Sequence, residues 1–279
     1  MRYLLYGSML LGILLHGRQA RAQQDTAFVT IPAGTYSVGQ QGHKLNPLRQ
    51  VTVKAYTIGA TEVTNQQFAR FVAATQYRTD AERLKNAMVF EPGLAEFAWL
   101  QDSTANWRYP NGRSRGDLSG KEHHPVTTIS YTDIQAYCRW AGVRLPGFEE
   151  WEIAARAGSP DLYFWGKDKT QIGIYANIWH GRDHRVADSS DGYLYTAPVA
   201  SFKPNAYGLY DVYGNVFEFC EGSLPGDPKD RKLAHARGGS WWCSKNACSF
   251  FNSADIGRVS RHASFSNQGF RVVKPQTAP

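Results

Sequence analysis

Apolar and polar positions alternate in two stretches near the start of the chain. Phe28-Val29-Thr30-Ile31 and Thr35-Tyr36-Ser37-Val38 flank the turn Pro32-Ala33-Gly34, and Val51-Thr52-Val53-Lys54-Ala55-Tyr56 repeats the period of two. Strands are predicted over both. The period then changes. Thr64 precedes Phe68, Phe71, Val72 and Thr75 at spacings of three and four, which predicts a capped helix with one buried face. A second helix is predicted from about Thr132-Asp133, with Ile134, Tyr137, Cys138 and Ala141 turned inward and Gly142 closing it. A third follows Pro146, with Phe148, Trp151 and Ala155 inward, and ends at Gly158-Ser159-Pro160. Residues 78–125 are polar and lack a period, yet carry Phe90, Phe97, Trp99, Trp107 and Tyr109. Such a stretch is expected to pack, and long loops inside compact domains are often functional. Beyond residue 160 the pattern gives short strands and turns. With no repeat and no linker, one α+β domain of low regular secondary structure is expected.

Composition narrows the class. The chain is 42% hydrophobic and 20% charged, which excludes a disordered tail or a collagen-like fibre. Its 26 glycines and 13 prolines, with 13% aromatic residues, point to loops around a core of large rings rather than to a helical bundle. Residues 1–22 read as a secretory signal peptide: Arg2, an apolar run from Tyr3 to Leu15, then Ala20-Arg21-Ala22 as the cleavage pattern. The mature domain is then residues 23–279. No cysteine near the cleavage point offers a lipid anchor, and no later apolar run is long enough to span a bilayer. Export to the periplasm or the extracellular space is expected. Losing Arg2, Arg18 and Arg21 lowers the formal charge from +7 to +4, a scattered excess that argues against a nucleic-acid partner.

The sharpest local feature is Arg237-Gly238-Gly239-Ser240-Trp241-Trp242-Cys243-Ser244-Lys245-Asn246-Ala247-Cys248. Two thiols with four residues between them can form a disulfide, which exported proteins do readily, or hold Cu(I), which prefers few soft ligands. Cys138 lies on an apolar helix face and reads as an inert buried thiol. Oxygen-rich turns occur at Asn177-Ile178, Asp191-Gly192-Tyr193 and Asp211 to Glu218. They suit ordinary turn chemistry, and they also suit calcium, which needs six to eight oxygens. His180 and His184 are spaced as a helical metal pair, but in a polar, non-helical stretch, and read as surface histidines. No nucleophile elbow, phosphate loop or dinucleotide glycine fingerprint is present.

Taken in order, further segments resemble the formylglycine-generating enzyme family. They include Ile31-Pro32-Ala33-Gly34-Thr35, Thr61-Glu62-Val63-Thr64-Asn65, Thr79-Asp80-Ala81-Glu82 and Asn106-Trp107-Arg108-Tyr109-Pro110. Tyr137-Cys138-Arg139-Trp140-Ala141-Gly142, Glu150-Trp151-Glu152, Asn205-Ala206-Tyr207-Gly208-Leu209-Tyr210-Asp211 and Asn267-Gln268-Gly269-Phe270-Arg271 continue the likeness over most of the mature chain. Each is short; their order and spacing carry the resemblance. It implies a single-domain formylglycine-generating-enzyme fold related to C-type lectins. It also implies O2-dependent oxidation of a cysteine to formylglycine in an unfolded sulfatase segment, Cys-x-Pro-x-Arg; a monomer is expected. By position, Cys243 and Cys248 match the family's Cu(I) pair, Ser240 its active-site serine and Asn267 a pocket asparagine. One calcium set matches Asn177 and Asp191 with the carbonyls of Ile178 and Tyr193. A second matches Asp211 and Glu218 with the carbonyls of Gly214 and Val216.

Departures from the family accompany these matches. Ser244, Ala247 and Phe217 stand where relatives carry His, Tyr and Trp. Ser249 to Ile256 replaces an arginine-rich run, and Arg261 and His262 are gained, which is expected to change the pocket's charge. Val272 removes the usual disulfide partner of Cys138. The competing reading is a non-catalytic, calcium-stabilised envelope protein that binds a peptide or glycan, with Cys243 and Cys248 as a disulfide.

Overall fold

The computed structural model describes residues 27–222, 232–246 and 248–275. The expected signal peptide and its cleavage point lie outside the described residues. The two opening strand patterns become four strands: β1 (Phe28–Ile31), β2 (Gly34–Val38), β3 (Arg49–Val53) and β4 (Tyr56–Gly59). β2 and β3 pair as an antiparallel ribbon, Tyr36 opposite Val51, while β1 pairs antiparallel with β4.

The helices follow the periodic stretches. α1 (Asn65–Thr75) is closed at its start by a capping box, with Thr64 Oγ1 accepting from Gln67 N–H and the Gln67 side chain accepting from Thr64 N–H. α3 (Tyr131–Ala141) begins one residue before the position predicted, with Ser130 as its cap. α4 (Phe148–Arg156) ends at Ala157, just before Gly158. Residues 78–125 hold more order than their missing period suggests. Thr79 and Glu82 form a second capping box over the short α2 (Asp80–Leu84), and β5 (Ala87–Val89) pairs with β6 (Leu100–Asp102). The sequence cue was Thr-x-x-Glu, which marks a helix start even where only one turn follows. A further single turn, α5, spans Ile172–Tyr175.

The site rests on a four-stranded sheet ordered β10-β7-β8-β9, built from β7 (Phe217–Cys220), β8 (Leu233–Arg237), β9 (Gly257–Ser260) and β10 (Gln268–Gly269). β8 runs antiparallel to β7, with Arg237 opposite Glu218, and β10 runs parallel to it, with Gln268 opposite Phe217. The end of β8 and the start of β10 therefore meet at the same end of β7. That topology brings Ser240, just after β8, to Asn267, just before β10. Gly238 and Gly239 make the exit from β8 possible. Both have positive φ, and a Cβ on Gly239 would stand 2.6 Å from the Phe251 nitrogen. One hydrophobic cluster packs around Trp151, Trp241, Tyr213 and Phe90; another joins α1 to α3 through Phe68, Phe71 and Tyr137.

Candidate functional site

Cys243 and Cys248 close a short loop after Gly238-Gly239 and are joined as a disulfide, with Cα atoms 4.6 Å apart. Backbone bonds fix this loop from three sides. Cys243 N–H donates to the Ser240 carbonyl at 2.9 Å, Trp179 N–H to the Cys243 carbonyl at 2.9 Å, and Ser244 N–H to the Cys248 carbonyl at 3.0 Å. Asn267 Nδ2 donates to Ser240 Oγ at 3.0 Å, and Trp242 N–H donates to the same oxygen at 3.3 Å. Asn267 Oδ1 is buried without a hydrogen-bond partner. All four predicted residues are thus brought together.

Beside them opens a cleft of about 340 Å³, lined by Cys248, Asn267, Trp242, Phe97, Trp99 and Phe265 among others. Cys243 is wholly buried, whereas Cys248 borders the cleft. Once reduced, the pair offers two soft donors on one short loop, with Cys248 bordering the cleft from which a third ligand can enter. That donor set fits Cu(I). The other thiols do not compete. Burial pushes Cys138 up to about 12 and raises Cys220 further still, so both stay protonated.

Two expectations are corrected here. Arg261 and His262 do not line the cleft. The Arg261 guanidinium lies 4.6 Å over the Tyr131 ring at the start of α3, and His262 Nδ1 is 3.0 Å from Asp80 Oδ2 at the start of α2. The cationic residue that does line the cleft is Arg258. His184, read as a surface residue, is completely buried. Its ring stacks on Trp242 at 4.1 Å and 6°, and its nitrogens meet Glu96 and the Trp242 carbonyl. Sequence spacing missed it because Glu96 and Trp242 are 88 and 58 residues away.

The oxygen-rich turns behave differently from one another. In the first set, Asn177 Nδ2 donates to the Tyr195 carbonyl at 2.8 Å, and Asp191 Oδ1 accepts from Tyr193 N–H at 2.9 Å. Asp191 Oδ2 is buried with no hydrogen-bond partner; His180 Nε2 stands 3.2 Å away without hydrogen-bond alignment. Ile178 is buried beside Asn177. A buried carboxylate oxygen that no hydrogen bond satisfies fits a hard cation.

The second set does not present its carboxylate. Glu218 accepts from Arg271 Nε at 2.5 Å and Nη2 at 2.6 Å, and from Trp151 Nε1 at 2.8 Å. It serves as the counter-ion of Arg271 rather than as an open calcium ligand, so this set does not fit as folded. Asp211 Oδ2 accepts from Ala200 N–H at 2.7 Å, while Asp211 Oδ1 and the nearby Glu62 Oε2 lack partners. Burial pushes Asp211 up to about 7 and raises Glu62 well above the carboxylate range. Gly214 keeps a structural role next to Val216: its φ is +81°, and a Cβ there would meet the Asn177 carbonyl at 2.3 Å. Among the described residues, no group of three or more His, Cys, Asp or Glu side chains forms a metal site.

Comparison with known proteins follows the same lines. The family model for the sulfatase-modifying factor enzyme 1-like domain matches residues 15–276. The formylglycine-generating enzyme of Mus musculus is 36% identical over 279 residues, covering 89% of this chain and 75% of that one. Its counterpart from Streptomyces coelicolor is 36% identical over 289 residues, covering 92% of each. A Bos taurus protein named inactive C-alpha-formylglycine-generating enzyme 2 is 35% identical over 237 residues, covering 78% of this chain and 77% of its own. Among solved structures, PvdO from Pseudomonas aeruginosa shares the fold, with a TM-score of 0.64 at 24% identity over 88% of this chain and 93% of that one. With most of its length matched by the family model and by relatives above one-third identity, the chain belongs to the formylglycine-generating enzyme, or sulfatase-modifying factor, family.

Proposed function

We propose that this protein oxidises a peptide cysteine of the sulfatase type, Cys-x-Pro-x-Arg, to formylglycine, using O2 and Cu(I) held by Cys243 and Cys248. The observation that carries the reading is the thiol pair beside an apolar cleft, with Ser240 and Asn267 locked together alongside. Bound Cu(I) would supply a soft site for the substrate thiolate and for O2. The protein's own groups do the rest. Trp242, Phe97, Trp99 and Phe265 keep water from the reacting sulfur, and Ser240 holds the amide of Asn267 so that its unpartnered Oδ1 has a fixed direction. The balance is fixed by the chemistry. The substrate carbon loses two electrons and its sulfur leaves as sulfide; O2 takes four electrons, so an external thiol must supply the other two.

The substrate would be an unfolded sulfatase or a related thiol-bearing peptide met outside the cytoplasm, where the proposed signal peptide would deliver a monomer. Calcium at Asn177 and Asp191, with the carbonyls of Ile178 and Tyr193, would tie the surrounding loops. Among the described residues no helix is long and apolar enough to cross a membrane.

A second reading is favoured by one observation: the two sulfurs are joined. On that reading the cleft binds a peptide without oxidising it. Mass spectrometry separates the two. Reduced mature protein receives Cu(I), O2, a thiol reductant and a Cys-x-Pro-x-Arg peptide, and conversion of thiol to aldehyde is expected only with copper. Cys243→Ser and Cys248→Ser should each abolish Cu(I) binding and turnover. Turnover retained in both variants sinks the oxidase reading, and a bridge that resists mild reductant in native protein favours the binder.

A further inference from the structure

His184 spends every polar atom on joining two walls of the cleft. Its backbone N–H donates to Glu96 Oε1 at 3.2 Å, and its carbonyl accepts from Gly93 N–H at 3.1 Å. Its Nδ1 is 2.5 Å from Glu96 Oε2, and its Nε2 is 2.7 Å from the Trp242 carbonyl. A carbonyl can only accept, so Nε2 carries a hydrogen; the contact at Nδ1 places one proton between ring and carboxylate. The ring also packs against Phe90 and Trp179, at 5.4 and 5.1 Å between centroids. Four of these links reach residues 90–96, which lead directly into Phe97 and Trp99 on the cleft wall. The Nε2 contact reaches Trp242, whose carbonyl belongs to the peptide unit that enters Cys243.

Neighbouring residues reinforce the second link. Trp179 N–H donates to the Cys243 carbonyl at 2.9 Å, and Asn246 Nδ2 donates to the Arg182 carbonyl at 3.1 Å. Residues 179–184 thus hold the thiol loop on one side, and His184 extends that hold to Glu96. A buried imidazole with both nitrogens engaged costs much to leave unpaired, so the arrangement is a built one rather than a chance contact.

We propose that His184 is a positioning residue. It couples the aromatic wall at residues 90–99 to the thiol loop, fixing both the approach to Cys248 and the direction of Cys243. The inference rests on the thiol pair being the working site of the cleft, and its test reads the coupling with and without metal.

In reduced, metal-free mature protein, Glu96→Ala and His184→Leu should each let an alkylating reagent reach Cys248 about tenfold faster, the scale of losing one charge-assisted hydrogen bond. Cu(I) affinity, measured by competition with a chromophoric chelator, should fall about 10–100-fold in His184→Leu, as for other groups that orient metal ligands. His184→Gln keeps a donor for the Trp242 carbonyl and should recover most of that affinity; Glu96→Ala should keep it and instead raise the peptide KM. Wild-type alkylation rates in both Glu96→Ala and His184→Leu overturn the proposal, as does equal loss of Cu(I) in the Leu and Gln variants. If His184→Leu does not fold, Glu96→Ala decides by its alkylation rate. Should the wild-type protein take up no Cu(I), the metal reading fails by itself and the alkylation rates still decide the coupling.

Discussion

Arg271 is fully buried, and its charge is met by Glu218 through two hydrogen bonds while Nη1 donates to the carbonyls of Gly59 and Ala60. Removing one partner of such a pair strands the other in a medium that solvates it poorly. Glu218→Ala should therefore lower the unfolding free energy by about 3–5 kcal/mol in urea titrations; a loss under 1 kcal/mol would mean that water reaches Arg271. Asp211 poses the opposite problem. Its folded-state value of about 7, against the usual 3.8, means that the folded chain keeps a proton the unfolded chain releases. The stability this group contributes is full below about pH 4, is lost as pH rises towards 7, and changes little above that. Asp211→Asn removes the group. Measured in chelator, the variant should gain stability relative to the wild type between pH 5 and pH 8; parallel curves would contradict the raised value. At this scale the sequence was informative where neighbours in sequence are neighbours in space, as at Cys243 and Cys248. Ser240 and Asn267 were reached only through resemblance. His184 was misread because what surrounds it comes from segments its own neighbourhood does not predict.

Helices were legible where a cap and a period coincide. α1, α3 and α4 follow their apolar spacing to within a residue or two at their starts, and α2 shows that a capping box alone marks a helix too short to have a period. The four-stranded sheet was not legible. β10 has two residues, and its partner β7 lies some fifty residues earlier, so no local alternation records the pairing. Ser130 tests the value of the legible part. Its Oγ accepts from Asp133 N–H to cap α3 and donates to Asp80 Oδ2 at 2.7 Å, tying α3 to α2. Ser130→Ala should cost about 1–2 kcal/mol, the usual loss of a cap plus a hydrogen bond to a buried carboxylate. Thermal and urea unfolding would measure it, and an unchanged midpoint would leave the cap without energetic weight.

Across the whole molecule, short elements hold only part of the chain, and residues 176–215 depend on side chains that reach across the fold. Asn215 is the hub: its Oδ1 accepts from Asn177 Nδ2 and Ala197 N–H, and its Nδ2 donates to Glu62 Oε1 at 3.0 Å. Asp191 lies beyond that hub, with a buried oxygen that no hydrogen bond satisfies, so the outer turn should gain most from a cation. An ion present at one hundred times its Kd stabilises the folded state by about 2.7 kcal/mol. For a domain of this size that is a rise in Tm of roughly 5–10 °C. Chelator should lower the Tm by this amount and calcium should restore it. Asp191→Asn should keep the Tm of the chelated wild type and gain little when calcium is added. Glu218→Gln distinguishes the sites. With its carboxylate committed to Arg271, the second set supplies none of the calcium increment, so this variant should start lower and still rise by the full amount. An Asp191→Asn protein that rises as the wild type does, or a Glu218→Gln protein that no longer rises, would move the ion from the first set to the second.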